Sequence, residues 1–216
     1  METLLGYSLS DFIPFSPATY LRMIERYQAD NFPIHWIGWA GGLGLLWLVK
    51  RGQGRAAALA LAVCWIWIGL IFHRGYYAEL NWAAGYFAWA FALEGVLLGV
   101  ASAEAELAPP AAGPSAMIRI AVIGHPLFTA LSGANWMSGG FFATAPDPTA
   151  AATLGLALAF TGWRRWVLSV IPLAWFAIGL LNALGMNRPA LGFTAGLGLA
   201  LFTLFSIWPG RVHPVK

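Results

Sequence analysis

The sequence predicts an all-α fold, a polytopic transmembrane helical bundle of seven spans with an N-terminal amphipathic interfacial helix ahead of them. Three observations carry this expectation. Hydrophobic residues make up 59% of the 216 and charged residues only 10%, against about 25% charged in an ordinary soluble domain. The apolar residues fall into runs long enough to approach the roughly 20 that cross a bilayer. Those runs are apolar on all sides, without the alternation in segments of about ten residues that a membrane β-barrel needs. So few charged groups cannot coat a soluble surface, which excludes a cytosolic globular enzyme, a disordered chain and a disulfide scaffold. The single cysteine, Cys64, lies inside an apolar run and has no internal partner.

Residues 1–33 form the N-terminal interfacial segment. They carry Glu2, Asp11, Glu25 and Asp30 and lack the basic start and apolar core of a cleavable leader. Within them Ser16 is placed to cap a helix with Pro17 at its first position, running to about Ala29. Tyr20, Leu21, Ile24 and Tyr27 share one face; Arg22, Glu25 and Arg26 share the other. A helix this short and charged is expected to lie in the interface, either as an anchor or as a lid over an outer cavity.

The bundle is expected over residues 34–208, with spans at about 34–49, 56–72, 83–101, 117–133, 149–161, 166–184 and 190–208, followed by a tail at 209–216. The 102–115 stretch, rich in Pro and Ala and carrying Glu104 and Glu106, reads as a flexible link. Basic residues set the orientation. Lys50, Arg51, Arg55, Arg164, Arg165, Arg211 and Lys216 fall on one side, and Arg22, Arg26, Arg74 and Arg188 on the other. The first side is expected to be cytoplasmic, in the inner membrane, with the N-terminus outside. The net charge of +3 comes from these joints and not from one stripe, so nucleic acid is not an expected partner. Trp36, Trp82 and Trp136 fall near outer ends and Trp47, Trp163, Trp166 and Trp208 near inner ends, where indoles prefer to sit; Trp89 and Trp175 are expected between helices.

Polar residues collect on the outer side. His73, Arg74, Glu79 and Asn81 close the second span, Asp147 opens the fifth between Pro146 and Pro148, and Arg188 lies between the last two. Asp147 is placed to cap the fifth helix, with Pro148 at its first position. The short fifth span suggests a recessed outer cavity in which His73, Glu79 and Asp147 meet, a site for a cation or small polar solute that a carboxylate beside His73 would make pH-responsive. Deeper, Glu94 interrupts the third span. An acidic side chain there costs of order 2.5–3.5 kcal/mol, so it is expected to face the bundle, with His125, Arg119 or Asn182 as its partner, either as a structural hydrogen bond or in a proton relay. Pro126 is expected to kink the fourth helix and free a carbonyl for the His125 ring. Gly38 with Gly42, and Gly192 with Gly196, repeat at the spacing of close helix contacts.

No nucleophile elbow, phosphate loop or metal-ligand spacing occurs, so catalytic residues, metal and cofactor are all expected to be none. The stretches PFSPATYLRMIERYQADNFP, HRGYYAELNWAA and APDPTAAATLGLAL together resemble an uncharacterised bacterial membrane-protein family known only as a domain of unknown function. The resemblance covers nearly the whole chain. It implies a multi-span inner-membrane protein and transfers no functional residue. Two functions stand against each other: transport or binding of a small solute or ion through the outer polar cavity, and an accessory structural subunit that packs against membrane-protein partners or its own copies. An intramembrane enzyme using His73, Glu79 or Asp147 lacks a recognisable nucleophile or metal set.

Overall fold

The structure, a computed structural model, describes residues 8–103, 112–127 and 139–207, all of them in helices, turns and irregular joints with no strand. Trp136, Trp208, Glu104, Glu106, Arg211, His213 and Lys216 lie outside the described residues. In chain order the helices are α1 (Pro17–Asp30), α2 (Ile34–Lys50), α3 (Gly54–Trp67), α4 (Ala84–Ala103), α5 (Ala112–Arg119), α6 (Pro146–Ala157), α7 (Trp163–Gly185) and α8 (Phe193–Ile207).

Every predicted apolar run contains a helix, but seven spans are not supported. Among the described residues three helices are long and apolar enough to cross a membrane: Gly54–Glu79, Ala84–Ala103 and Trp163–Gly185. A fourth counts only if Leu9–Asp30 and Ile34–Lys50, bent by 85°, are taken as one broken span. The reason is length. At 1.5 Å per residue the 12 residues of α6 extend about 18 Å and the 15 of α8 about 22 Å, short of a hydrocarbon core of about 30 Å.

The core is organised around α6. All of its residues from Pro146 to Ala157 are buried except Asp147, which is half-buried. Its alanines, glycine and threonines keep it thin, so α3, α5, α7 and α8 all pack against it. The most extensive helix pair is α3 with α4. There a Cβ at Gly69 would lie 2.8 Å from the Ala88 carbonyl oxygen, and one at Gly95 would lie 2.9 Å from the Ala62 carbonyl oxygen. Each helix thus puts a glycine against the other's backbone, the close approach that small residues permit. Gly38 and Gly42 serve a different contact, against Phe142, Ala143 and Thr144 of the loop before α6. Gly192 packs against Ala183 within the same subassembly.

Two of the helices run on into π-helical turns. Beyond Trp67 the α3 helix widens into a π-helix over Ile68–Tyr76 and tightens into a 3₁₀ turn at Tyr77–Glu79. After α5 a second π-helical turn covers Ile120–Gly124. Pro126 has no N–H to give the Val122 carbonyl four residues back, and Trp39 Nε1 donates to that oxygen instead, at 2.9 Å. The sequence suggested His125 for the freed carbonyl; the tryptophan of a neighbouring helix takes it.

Two more expectations change. The 102–115 link is shorter than supposed, since α4 runs to Ala103 and α5 already begins at Ala112. Trp89 does not pack between helices, being 69% exposed on α4. Trp175 does, at 5%. Trp47, Trp163 and Trp166 at the opposite end from α1 each carry an arginine over the ring, from Arg51, Arg164 and Arg165.

The α3–α4 contact yields a direct test. Gly69→Val and Gly95→Val should each destabilise the folded protein by about 1–3 kcal/mol through overpacking, read as a lower midpoint of thermal aggregation in detergent. Gly41→Ala and Gly44→Ala, where an added Cβ meets nothing within 4 Å, should leave that midpoint unchanged or raise it.

Candidate functional site

The predicted site residues separate into an outer and a buried layer. The outer layer is built on α1, whose start follows the sequence: the Ser16 hydroxyl accepts from Thr19 N and Pro17 stands at the first position. Its face of Tyr20, Met23, Ile24, Tyr27 and Gln28 lies on the protein. Tyr27 donates to the Thr144 carbonyl at 2.9 Å and accepts from Trp67 Nε1 at 3.1 Å. Gln28 Nε2 donates to the Gly139 carbonyl at 3.0 Å. Burial pushes the Tyr27 phenol up to about 12, so it remains a donor.

Along the rim, Arg26 donates to Glu79 at 2.9 Å, lies 3.5 Å from Asp30 and stacks over Tyr76. The Tyr76 hydroxyl donates to Asp30 and accepts from Asn31. The bond to Glu79, more than the charge of Asp30, holds Arg26 above the usual guanidinium range. Glu79 therefore belongs to the fastening of α1 and does not join His73 and Asp147. Arg74 and Arg188 are exposed. Asn81 starts α4 by accepting from Ala83 N at 3.0 Å, and its side chain also bonds Tyr77.

The buried layer lies beneath α1. His73 was expected at the outer surface; the π-helical turn carries it inward, to full burial. Rings of Phe72, Tyr77, Phe87, Phe91 and Trp175 surround it, that of Phe91 at 4.2 Å and that of Trp175 at 5.0 Å between centroids. Neither ring nitrogen has a hydrogen-bond partner among the described residues. Asp147 does not cap its helix: Ala145 is the N-cap, Pro146 comes first, and the carboxylate accepts from Trp175 Nε1 at 2.7 Å. His73 and Asp147 thus both touch one indole. The electrostatic partner of Asp147 is His125, not His73, and His125 also hydrogen-bonds the Gly140 backbone. From above, Tyr20 closes this junction; it packs on Phe15 and Tyr77, and burial, with Tyr77 and Asp147 behind it, pushes its phenol well up.

Glu94 is fully buried on α4, facing protein, but none of its expected partners reaches it. His125 is engaged with Asp147 and Gly140, Asn182 bonds the Tyr77 side chain, and Arg119 is exposed. Both Glu94 carboxyl oxygens are without a hydrogen bond among the described residues. One turn outward stands Phe91, which touches His73, Trp175 and Trp65. Trp65 Nε1 donates to Thr153 Oγ1 of α6 at 2.7 Å.

The residues that sequence reasoning missed are the aromatic ones that link the ionisable groups: Tyr20, Trp65, Tyr77, Phe91 and above all Trp175. The available signal was weak: a buried indole needs an acceptor, and the carboxylate that supplies it, Asp147, reads in the sequence as a helix cap. A cavity of about 90 Å³ opens beside His125 between α5, α6 and α8, lined by groups such as Met117, Ala151, Phe193 and Leu197. Its lining is apolar, unlike the outer polar cavity expected. No group of three or more metal-ligating side chains occurs among the described residues.

Trp175→Phe keeps the ring but leaves the Asp147 carboxylate without its donor. It should lower stability by about 1–3 kcal/mol, measured as a drop in the thermal midpoint. Adding Asp147→Leu should recover part of that loss, because the second change removes the stranded acceptor. Simple additivity of the two changes would show that they do not interact.

No curated protein and no solved structure matches the chain. Residues 18–207 match a family of unknown function, a region that includes α1 from its second residue, the Trp175 junction and Glu94, and the chain accordingly belongs to that family, DUF6064.

Proposed function

We propose that the chain is an integral membrane protein of the inner membrane that binds and moves a small solute, a cation or polar small molecule, through its core, with α1 as the outer lid. The observation that supports this reading is the junction at Trp175, where a carboxylate and an imidazole share one indole beneath a helix of separate fastening. Ionisable groups inside a helical bundle are expensive and mark solute or ion pathways. The lid's rim contact, Arg26 with Glu79, has both side chains more than half exposed, and such pairs contribute only about 0–1 kcal/mol. That suits a part that opens. In the proposed orientation α1 lies outside, and the 50–55 turn with Arg164 and Arg165 lies in the cytoplasm, following the positive-charge bias.

A second reading, an accessory subunit, is favoured by one observation. Tyr86, Trp89, Leu93, Val96 and Val100 form an exposed apolar stripe along α4, with exposed Trp82 just before it. Lipid covers such a stripe as well as a partner helix does.

The transport reading predicts that holding α1 down stops flux. In a Cys64→Ala background, Arg26→Cys with Glu79→Cys, bridged by a reducible bifunctional thiol reagent, should block entry of sodium, potassium, ammonium, choline or small polar solutes into proteoliposomes, and reductant should restore it. Absence of flux of every probe in the unbridged protein, together with a large hetero-complex by native mass in mild detergent, would favour the subunit instead.

A further inference from the structure

We propose that Glu94 is a proton-binding site at the centre of the bundle, loaded through His73, with the Phe91 ring as the gate between them. The inference rests on the transport reading for its use but not for its chemistry. Glu94 is the eleventh of the 20 residues of α4, about 15 Å along the axis from Ala84. It is fully buried, and both carboxyl oxygens lack a partner among the described residues. A structural glutamate would be bonded, because an unpaired buried carboxylate is among the costliest groups a core can hold. A ligand is therefore required that removes the charge without needing other ligands of its own.

A metal cation does not meet that condition. Sodium, potassium or calcium needs several oxygens, and the buried neighbours of Glu94 on its helix face are Phe91, Gly95 and Leu98. A proton needs one. Ionisable groups on the packed elements do not compete for the site. On α3, Arg55 is engaged with the Ser102 and Ala103 carbonyls, and the Cys64 thiol gives Glu94 no hydrogen bond. On the π-helical turn, Arg74 is exposed and Tyr76 is at the rim; beyond it Tyr77 bonds Asn81 and Asn182, while Glu79 holds Arg26. On α7, Arg164 and Arg165 lie over Trp163 and Trp166 at the inner end.

His73 is also fully buried, and neither of its ring nitrogens has a hydrogen-bond partner among the described residues. Its surroundings are aromatic, with Tyr77 on its own segment, Phe87 and Phe91 from α4, and Trp175 from α7, which holds Asp147 behind it. Aromatic faces attract a cation, which offsets part of the cost that burial sets on an imidazolium formed in passing. The Phe91 ring is 4.2 Å from His73 and one helical turn from Glu94. When that ring turns aside, the proton leaves the imidazole for the carboxylate, and His73 returns to its neutral state.

The test uses dicyclohexylcarbodiimide, an apolar reagent selective for protonated carboxyls, on the full chain in detergent, with the modified peptide read by mass. Glu94 should be labelled, and above the titration midpoint labelling should fall about tenfold per pH unit. Glu94→Gln, a neutral isostere, should retain the parent's thermal midpoint and lose the label. After a jump to low pH, His73→Phe should slow the appearance of reactivity about tenfold, a rise in barrier of about 1.4 kcal/mol, and Phe91→Leu should hasten it. No labelling at any pH, or labelling indifferent to pH, overturns the site; unchanged kinetics in both His73→Phe and Phe91→Leu overturn the route. Titration of Glu94 in a protein that moves none of the probes supports the site and removes the transport reading. Flux with the parent's rate and pH profile in Glu94→Gln overturns the coupling and leaves transport standing.

Discussion

The fold depends on one constraint: α6 is enclosed by protein on nearly every side, so each polar group on it must find its partner inside the protein. A helix of alanine, glycine and threonine has little apolar surface of its own. Its value is thinness, which lets four other helices come within packing distance of one axis. The threonines are satisfied at short range. Thr149 accepts from Ala143 N, and Thr153 donates back to the Thr149 carbonyl while accepting from Trp65. Asp147 accepts from Trp175.

Indoles carry much of this satisfaction. Trp39, Trp65, Trp67 and Trp175 each donate their N–H across the fold, to Val122 O, Thr153, Tyr27 and Asp147. A tryptophan fills a large apolar volume and delivers one donor at its edge, a good match to a core with few polar groups, each in need of one bond. The abundance of tryptophan in the sequence thus has a second cause beside interfacial anchoring. It also explains why removing one indole N–H is expected to cost more than its ring contacts suggest.

Legibility followed the range of the interactions. The start of α1 was readable because Ser16, Pro17 and Thr19 are neighbours in the chain. Helix positions were readable from apolar runs, but the number of spans was not. A run of about 13 apolar residues marks a buried core helix as readily as a span, and α6 is the former. The inward turn of His73 was hidden because a π-helical turn leaves no mark in composition; it changes which face a residue shares. Asp147 was placed correctly at the start of α6 and given the wrong duty. Pro146 already starts the helix, which leaves the carboxylate free for a tryptophan 28 residues away.

The contrast between satisfied and unsatisfied groups orders the site. Around α6 the polar atoms are paired, and the rim of α1 is paired too, through Arg26, Asp30, Asn31, Tyr76 and Glu79. Between these layers and along α4 lie His73 and Glu94, enclosed and without hydrogen bonds among the described residues. Both are ionisable, and one phenylalanine touches the first and stands a turn from the second. Had burial alone been the requirement, apolar residues of similar size would serve both positions with less cost. A core that pairs the polar groups around α6 through well-placed indoles, yet leaves these two groups without hydrogen bonds among the described residues, has the arrangement that the proposed proton site requires.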